Sequence, residues 1–271
     1  MINISESEYL QVKDLMYAKS GVYLKSTKKS LIVSRLSKRI KQLNLSKLSE
    51  YISLLSNPKD NELETFVNAI TTNETFFFRH TKQFNYLYEN ILPDLINADI
   101  ETLRIWSAAC STGEEPYSLA IALIEYFKNQ PKFKYEILAS DINTLILEQA
   151  KVGLYREDKM GSTTDSLRAK YFTKIPNEKK TGYNYQIAQR IKNYITFFQH
   201  NLMNVHKTES MDIIFLRNVL FYFDETSTQK CIQAIRAALK LGGYLFIGLS
   251  ENIHGHTNGF KFVSSGIYQK C

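Results

Sequence analysis

Two acidic residues follow a turn of small residues in the segment IWSAACSTGEEPYSLAI, which covers residues 105–121. The apolar residues at its start predict a buried strand, and the spacing of apolar residues after Gly113 predicts an amphipathic helix. Turns that lead from a strand into a helix often bind phosphate, because the helix N-terminus attracts anions. Glu114 and Glu115 stand at that position and would repel a phosphate. The residue types therefore favour a ligand that carries positive charge.

S-adenosylmethionine fits this turn, because it carries a sulfonium and an ammonium and no phosphate. A nicotinamide dinucleotide fits it poorly, since the G-x-G-x-x-G fingerprint needs three glycines and only Gly113 is present. The two acids have a second interpretation, because acidic residues in the first turn of any helix interact favourably with the helix dipole. The segment taken alone does not decide between these interpretations.

Asp141 ends the apolar run YEILASD, residues 135–141. An acid at the end of the second strand of a dinucleotide-binding fold accepts hydrogen bonds from the hydroxyls of a ribose. Asp141 follows Gly113 by 28 positions, a spacing compatible with that role. Capping of the N-terminus of the following helix is an equally good interpretation.

Polar residues also follow a fully apolar strand in DIIFLRNVLFYFD, residues 212–224. These are Arg217, Asn218 and Tyr222. The Asn218 amide can hydrogen-bond a polar edge of a ligand, and Tyr222 offers a hydroxyl close to the chemistry. Core packing is the alternative interpretation of Tyr222.

The segment TTNETFFFRH, residues 71–80, runs from a polar stretch through three consecutive phenylalanines to Arg79. We interpret the phenylalanines as a buried wall and Arg79 as a charge held beside a site. The segment lies just before the predicted sheet and is therefore placed to cover it. Ordinary packing between domains, with Arg79 extending to solvent, is the alternative.

Strands and helices alternate after about residue 100, a pattern typical of a parallel sheet with helices on both faces. The predicted strands are 103–108, 135–141, 211–218 and 244–250, and the predicted helices are 114–127, 143–153 and 226–243. In such sheets ligands bind beyond the carboxyl ends of the strands. We therefore expect residues 107–115, Asp141, 217–218 and 250–252 to meet at one edge.

Two segments of the sheet region predict antiparallel structure. Residues 182–202 are rich in Tyr, Ile and Phe and alternate in part, which predicts antiparallel strands inserted into the domain and then a return to the core. Residues 260–270 predict a hairpin that closes an edge of the sheet. The helix at 226–243 is expected to stop at its two terminal glycines.

The first 80 residues predict helices, and this part of the chain carries most of the net positive charge. Residues 1–82 contain 13 Lys and Arg against 8 Asp and Glu, a net charge of +5 out of +7 for the chain. In one predicted helix the apolar residues share a face, while Arg35, Lys38 and Arg39 project from another. This basic surface favours an acidic partner. Its alternative interpretation is an ordinary solvated helix face.

Length and composition exclude several classes of protein. The 271 residues suffice for one large domain or for a domain plus a smaller one, and 44% hydrophobic residues can form a sizeable core. We expect no membrane insertion, because no apolar run approaches the roughly 20 residues of a span, and no secretory signal. Cys110, Cys231 and Cys271 fit neither a disulfide framework nor a zinc site, so we expect a cytoplasmic protein without a metal. The basic residues form no recognisable RNA- or DNA-binding motif, so we expect no nucleic-acid partner.

Six segments, in register along nearly the whole chain, resemble those of the CheR-type chemotaxis receptor methyltransferases. They are TTNETFFFR, WSAACSTGEEPYSLAI, ASDIN, AKVGLY, DIIFLRNVLFYFD and GGYLFIGLSENI. The resemblance implies an α/β protein with a basic, receptor-docking, all-helical domain at residues 1–82. A Rossmann-like class I S-adenosylmethionine-dependent methyltransferase domain is expected at 83–271, with a small antiparallel β subdomain inserted at about 176–200.

The resemblance also implies an activity, the transfer of a methyl group from S-adenosylmethionine to glutamate side-chain carboxylates of chemoreceptors. The products would be glutamate γ-methyl esters and S-adenosylhomocysteine, and the partner would be the cytoplasmic domain of the receptor. No general base is required, because a glutamate with a pKa of about 4.3 is already ionised at neutral pH. The alternative is a non-catalytic scaffold that binds the cofactor and the receptor.

The same resemblance implies roles for individual residues. The expected cofactor contacts are Asn73, Thr75, Arg79, Glu115, Asp141, Asn201, Leu202, Arg217 and Asn218. Arg79 and Tyr222 are expected to orient the reacting groups, and Arg35, Lys38 and Arg39 to meet the receptor. The sequence departs from the family at His80, where an acid is commoner, and at Leu249, where His or Ala is frequent.

Overall fold

The computed structural model describes residues 4–56, 61–98, 100–129, 133–176, 183–205 and 211–271. The first part of the chain forms helices α1 (Glu6–Ser20), α2 (Lys29–Gln42), α3 (Leu48–Ser56) and α4 (Glu62–Ile70). The later helices are α5 (Thr81–Tyr86), α6 (Leu92–Asn97), α7 (Glu114–Tyr126), α8 (Thr144–Val152), α9 (Asp165–Tyr171), α10 (Gln189–Lys192) and α11 (Glu225–Ala238). The strands are β1 (Thr102–Ala108), β2 (Lys134–Asp141), β3 (Leu154–Arg156), β4 (Phe172–Pro176), β5 (Tyr183–Ile187), β6 (Ile195–Gln199), β7 (Met211–Leu216), β8 (Leu239–Ile247), β9 (Phe260–Ser264) and β10 (Ile267–Lys270).

The N-terminal helices form a bundle with its own core. At the start of α1, the Ser5 side chain accepts a hydrogen bond from the Glu8 amide, and the Ser5 amide donates to the Glu8 carboxylate (2.8 Å). Gly21 ends α1 in a left-handed conformation, with φ of 72°, and any larger side chain there would collide with Met203 of the second domain. α2 buries apolar side chains one turn apart against the other helices, which fixes its basic residues on the remaining faces.

The second domain is built on a seven-stranded sheet in the order β6-β2-β1-β7-β8-β10-β9. The five strands from β6 to β8 are parallel, and β10 and β9 continue the sheet antiparallel. All residues of β7 are buried, because its sheet is covered on both faces. The predicted α/β architecture and the hairpin at 260–270 are confirmed.

A second sheet of three antiparallel strands, in the order β3-β5-β4, confirms the small inserted subdomain. The chain returns to the core at β6, which lies inside the range of about 176–200 expected for the subdomain, so that range was wrong at its end. Strand β6 does not belong to the small sheet but pairs in parallel with β2, at the edge of the main sheet. The subdomain also uses β3 and β4, which come earlier in the chain, and residues 177–182 of the expected subdomain range, about 176–200, lie outside the described residues. Apolar alternation identifies a strand but not its partner, and that ambiguity explains the error.

The end of α11 also differs from expectation. The helix ends at Ala238, and β8 begins at once with Leu239. Gly242 and Gly243, which were expected to stop the helix, lie within β8, where the pairing with β7 shifts register. Glycines inside a strand are typical of such irregularities, and Gly242 has a φ of 75°.

Several hydrogen bonds fasten the helical domain to the carboxyl edge of the sheet. The Asn68 side chain at the end of α4 donates to the Thr144 hydroxyl (3.0 Å) and accepts from the Thr144 amide (3.2 Å). On the other side of the edge, Tyr17 donates to the Asp224 carboxylate (3.2 Å). The helical domain therefore covers the edge where ligands bind in parallel sheets. In the part of the chain that the structure describes, no helix has the length and apolar character needed to cross a membrane.

Candidate active site

A cavity of about 430 Å³ lies between the helical domain and the carboxyl edge of the sheet. All nine residues expected to contact the cofactor line this cavity, and so do Arg35 and Tyr222. Its other walls come from the loop after β1, the loop after β7 and the turn between α1 and α2. The volume lies within the range of roughly 300–1,000 Å³ typical of small-molecule sites.

Asp141 holds the loop after β1 in place. Its carboxylate accepts hydrogen bonds from the amides of Ser111 (2.9 Å) and Asn143 (3.0 Å), and only 8% of the residue is exposed. Burial raises the pKa of this carboxyl, and the backbone hydrogen bonds oppose the rise. The helix cap of α8 is Asn143, whose side chain accepts from two amides of that helix, so Asp141 does not serve as the cap. Each Asp141 oxygen retains a further lone pair for a ligand hydroxyl.

The loop between β1 and α7 is strained. Ala109 and Ser111 have φ values of 71° and 52°, which are uncommon for residues other than glycine. The Ser111 hydroxyl donates to the Asn73 carbonyl (2.9 Å), and the Cys110 amide donates to the Ser140 carbonyl (2.8 Å). Strained backbone of this kind persists only where surrounding contacts fix it, and it is typical of functional sites.

The two acids at the start of α7 have different environments. Glu114 is 1% exposed, is absent from the cavity lining, and accepts a hydrogen bond from the Thr112 hydroxyl (2.6 Å). Burial raises the pKa of its carboxyl. Glu115 lines the cavity and accepts from the Ser107 hydroxyl (2.7 Å). The argument for a positively charged ligand therefore applies to Glu115 and not to Glu114.

Gly113 is required here for steric reasons rather than for phosphate binding. It begins α7 with a φ of 94°. A Cβ atom at this position would lie 2.9 Å from the Ala150 Cβ and 3.0 Å from the Tyr155 hydroxyl. That hydroxyl donates to the Thr112 carbonyl (2.8 Å), so the packing also fixes the loop. One glycine is enough for this turn.

Arg217 faces Glu115 across the cavity wall. Its Nη1 lies 3.3 Å from the Glu115 Oε2, and its Nη2 donates to the Arg79 carbonyl. Burial raises the pKa of Glu115, and the positive charge of Arg217 counteracts the rise. The Arg217 Nε is buried and finds no hydrogen-bond partner among the described residues. A buried donor without a partner beside a cavity indicates a ligand or water that satisfies it.

The segment 71–80 forms one wall of the cavity. Phe77 and Phe78 are buried, as expected, while Phe76 is 39% exposed and lines the cavity. Arg79 is held close to this segment, because its Nη1 donates to the Glu74 carbonyl (3.0 Å) and its guanidinium lies 5.6 Å from the Phe76 ring centre. The buried wall is therefore present, and Arg79 reaches the cavity from it.

Tyr222 lines the same cavity. Its carbonyl accepts a hydrogen bond from the Tyr23 amide (2.8 Å), which ties it to the helical domain. Burial raises the pKa of the Tyr222 phenol, and a hydrogen bond from Thr72 with the charges of Arg35 and Arg79 opposes the rise. The phenol stays protonated at neutral pH and can donate a hydrogen bond.

Glu251 supports the loop after β7. The sequence analysis placed residues 250–252 at this edge of the sheet but assigned no role to Glu251. Its carboxylate accepts from the amides of Asn218 (2.8 Å), Leu220 (2.8 Å) and Gly248 (2.7 Å). Asn218 has a φ of 60°, so this backbone needs such support. An acid directly after a buried strand at the ligand edge was the available signal.

Asn201 and Leu202 reach the cavity from the loop after β6. The Asn201 side chain donates to the Lys19 carbonyl of α1 (2.8 Å) and accepts from the Met203 amide (3.0 Å). Leu202 is 9% exposed and gives the cavity an apolar surface. Asn73 and Thr75 lie across the cavity on segment 71–80, so polar and apolar groups converge from both domains.

His80 is the residue that precedes α5 and has a φ of 62°. Burial lowers the pKa of its imidazole to about 4, and the charges of Arg217 and Arg79 contribute. The ring is therefore neutral at physiological pH. A neutral ring is compatible with the two cations beside it, whereas a protonated one would repel them.

The three expected docking residues differ in their contacts. Lys38 is exposed on α2. Arg39 forms a pair of hydrogen bonds with the Glu62 carboxylate, at 3.0 Å and 2.5 Å, and the Tyr51 hydroxyl donates to the same carboxylate (2.7 Å). The Arg35 guanidinium contacts the end of α4 and the residues after it. Two of the three side chains are thus engaged within the protein.

The cavity suits S-adenosylmethionine by the chemistry of its groups. Asp141 offers carboxylate oxygens to ribose hydroxyls, Glu115 offers negative charge, and Arg217 offers a buried donor for a carboxylate. Leu202 and Phe76 offer apolar surface to an adenine ring. Among the described residues, no cluster of His, Cys, Asp and Glu has the arrangement of a metal site.

Comparison with known proteins assigns the chain to a family. Residues 7–71 match the all-α domain of the CheR methyltransferases, and residues 73–269 match their S-adenosylmethionine-binding domain. A chemotaxis protein methyltransferase of Borreliella burgdorferi is 36% identical over 99% of this chain and 96% of its own length. Chemotaxis protein methyltransferase 2 of Vibrio cholerae is 34% identical over 99% and 94%, and the Escherichia coli enzyme is 33% identical over 98% and 91%. The chain therefore belongs to the CheR methyltransferase family and contains both domains that define it.

Proposed function

We propose that this protein methylates glutamate side chains on the cytoplasmic domains of chemoreceptors, with S-adenosylmethionine as methyl donor, in the cytoplasm. The observation that supports this best is a single cavity lined both by the expected cofactor residues and by the basic helical domain. Arg35 and Lys28 of that domain line the same cavity as Asp141 and Glu115. A protein acceptor that lies on the helical domain could therefore extend a side chain toward the cofactor.

The cofactor residues act by binding and orientation. When bound, S-adenosylmethionine supplies a methyl group that its sulfonium has already activated. The Asp141 carboxylate accepts hydrogen bonds from the ribose hydroxyls. The Glu115 carboxylate contributes negative charge, balanced by Arg217. Because both charges are buried and already paired, little reorganisation is needed when the ligand enters.

The acceptor carboxylate needs positioning rather than deprotonation. Alignment of two reactants and removal of water can lower a barrier by roughly 7–11 kcal/mol. Arg79 and Tyr222 both line the cavity and can each donate a hydrogen bond to a carboxylate. We propose that they hold the acceptor carboxylate in line with the methyl group. The helical domain excludes water from this edge of the sheet.

The exposed face of α2 is proposed to contact the receptor. Lys38 and Lys41 are exposed there, and the helix has no acidic residue. Acidic helices around the methylation sites would be attracted to this face, which accelerates encounter more than it strengthens the final complex. Arg35 and Arg39 add to the positive field, although their side chains have partners within the protein.

The experiment combines cofactor binding with methyl transfer. Calorimetric titration with S-adenosylmethionine and, separately, NAD should give binding of the first alone. The cytoplasmic fragment of a chemoreceptor is then incubated with the protein and methyl-labelled cofactor. Label that is released as methanol by mild base identifies a carboxyl ester. Cofactor binding without any base-labile label would favour the scaffold over the enzyme.

A further inference from the structure

Arg35 connects the basic helix α2 to the end of α4. Its Nη1 donates to the carbonyls of Ile70 and Thr71, the latter at 3.1 Å. Its Nη2 donates to the Thr72 hydroxyl at 3.1 Å. Ile70 is the last residue of α4, where unpaired carbonyls and the helix dipole favour a cation. The guanidinium thus satisfies three oxygens on three consecutive residues.

The residues that Arg35 holds lead directly to the cofactor residues. The Thr71 hydroxyl accepts a hydrogen bond from the Asn143 side chain (2.7 Å), and the Asn143 amide donates to Asp141 (3.0 Å). Next along the chain, the Asn73 carbonyl accepts from the Ser111 hydroxyl (2.9 Å). A continuous set of hydrogen bonds therefore joins Arg35 to both segments expected to bind the cofactor.

Thr72 also connects Arg35 to Tyr222. Its hydroxyl accepts from Arg35 (3.1 Å), and a hydrogen bond from Thr72 opposes the rise in the pKa of the Tyr222 phenol. Thr72, Arg35 and Tyr222 all line the cavity. Arg35 therefore fixes a side chain that interacts with the Tyr222 phenol.

We propose that Arg35 is a positioning residue, which fixes Ile70–Thr72 and thereby shapes the cofactor site and places Tyr222, and that it is not mainly a receptor contact. Its donors already have partners, whereas Lys38 on the same helix is exposed. A planar guanidinium can reach three separate oxygens at once, and a lysine ammonium at the same position cannot reproduce that fork. The cofactor part of this inference is independent of the acceptor, while its kinetic part rests on the proposed function.

The test compares charge with geometry at position 35. Arg35→Lys keeps the charge and loses the fork, and Arg35→Gln loses both. We expect both variants to bind S-adenosylhomocysteine about 10-fold more weakly than the wild type by calorimetry without receptor. The kcat for receptor methylation should fall, with a smaller change in KM for receptor. Lys38→Gln, which removes a charge from the same helix, should leave the affinity for S-adenosylhomocysteine unchanged.

The opposite pattern would overturn the inference. If Arg35 served as a docking charge, Arg35→Lys would behave like the wild type, and Arg35→Gln would raise the KM for receptor without changing cofactor affinity. A wild-type protein that transfers no methyl group would contradict the proposed function, and the calorimetric comparison would still test Arg35.

A double-mutant cycle separates positioning from general loss of stability. Arg35→Gln should reduce kcat less in a Tyr222→Phe background than in the wild type, because both changes affect the same hydrogen-bonded group. Purely structural damage would reduce kcat by the same factor in both backgrounds, and that result would contradict the inference. Should the Arg35 variants not fold, Thr72→Val removes one acceptor and keeps the arginine. It should show the same coupling to Tyr222→Phe, with a smaller loss.

Discussion

The carboxyl edge of the sheet and the exposed face of α2 both carry charges that the sequence made conspicuous, but they hold those charges differently. At the sheet edge, Asp141, Glu115 and Arg217 are largely buried, and each has fixed partners. On α2, Lys38 is exposed to water. Buried charges need fixed partners, because desolvation is costly, whereas exposed charges are stabilised by water. The first arrangement suits a small ligand of constant shape, and the second suits a protein surface that varies.

Buried, paired charges are not confined to the sheet domain. Arg35 and Arg39 belong to α2, yet they bind partners in the same way as the charges at the sheet edge. Basic residues spaced along one helix can thus have quite different roles. The partner that each side chain finds in space decides its role, and the following predictions test that distinction.

Replacement of Asp141 should have the largest effect. Asp141→Ala removes a buried carboxylate that accepts hydrogen bonds from two amides. The same carboxylate is expected to accept hydrogen bonds from the ribose hydroxyls of the cofactor. Because each hydrogen bond to a charged group contributes about 1.5–3 kcal/mol, we expect cofactor affinity to fall about 100-fold by calorimetry. Asp158→Ala is the control, since Asp158 is exposed and forms an ion pair with the exposed Arg156. Unchanged affinity in the Asp141 variant would remove this residue from the cofactor site.

Glu62 tests a buried charge on the helical side of the comparison. Glu62→Gln should lower the free energy of unfolding by about 2 kcal/mol, because it weakens a network with Arg39 and Tyr51 in which Glu62 is 7% exposed. Denaturant unfolding measures the change. Glu148→Gln is the control, since its ion pair with Lys151 is exposed. Equal losses for the two variants would contradict the distinction between buried and exposed pairs.

The same network should make stability depend on pH. The hydrogen bonds from Arg39 lower the pKa of Glu62 below its ordinary value of 4.5, and burial opposes the shift. As pH falls, Glu62 therefore takes up a proton in the unfolded state before it does so in the folded state. The contribution of ionised Glu62 to stability is complete above pH 4.5, and it is lost as the pH falls through the lower pKa of the folded state. The difference in stability between wild type and Glu62→Gln should shrink below pH 4.5. If the difference in stability between wild type and Glu62→Gln stayed constant as the pH fell further, the lowered pKa of Glu62 would be contradicted.

Tyr222 tests the chemistry itself. Tyr222→Phe removes one hydroxyl from the cavity wall and leaves the ring in place, so kcat should fall about 10-fold while cofactor affinity stays the same. Steady-state methylation at saturating cofactor measures this. Tyr126→Phe serves as the control, because Tyr126 is not among the residues that line the cavity. Full activity in the Tyr222 variant would reduce this residue to a packing role.

The sequence allowed the sheet edge to be predicted well, because parallel strands bring their carboxyl ends together whatever the details of packing. Residues as distant as Glu115, Asp141 and Arg217 could therefore be assigned to one site, and the structure brings them to one cavity. Strand partners could not be predicted in the same way. The pattern of β6 is satisfied equally by an antiparallel subdomain and by an edge position beside β2.

Side-chain partners were the least predictable feature. A run of basic residues does not show that Arg39 faces Glu62, 23 positions away, or that Arg35 reaches Thr72, 37 positions away. The supporting role of Glu251 was missed for the same reason, since its three amide partners come from two loops. These contacts depend on how helices and loops pack, and that packing leaves no local periodic signal in the sequence.

Lys38 offers the smallest and sharpest test of the exposed face. Charge reversal at Arg35 and Arg39 would break contacts within the protein, so a loss of methylation would not identify a docking surface. Lys38→Glu changes only an exposed charge and should raise the KM for receptor about threefold at low salt. The effect should fade as added salt screens the charge, because the Debye length is about 8 Å at physiological ionic strength. Lys128→Glu reverses an exposed charge just after α7 and should change the KM for receptor much less. Since an attraction between surfaces must weaken with salt, a raised KM that is insensitive to salt would argue against an electrostatic role for α2.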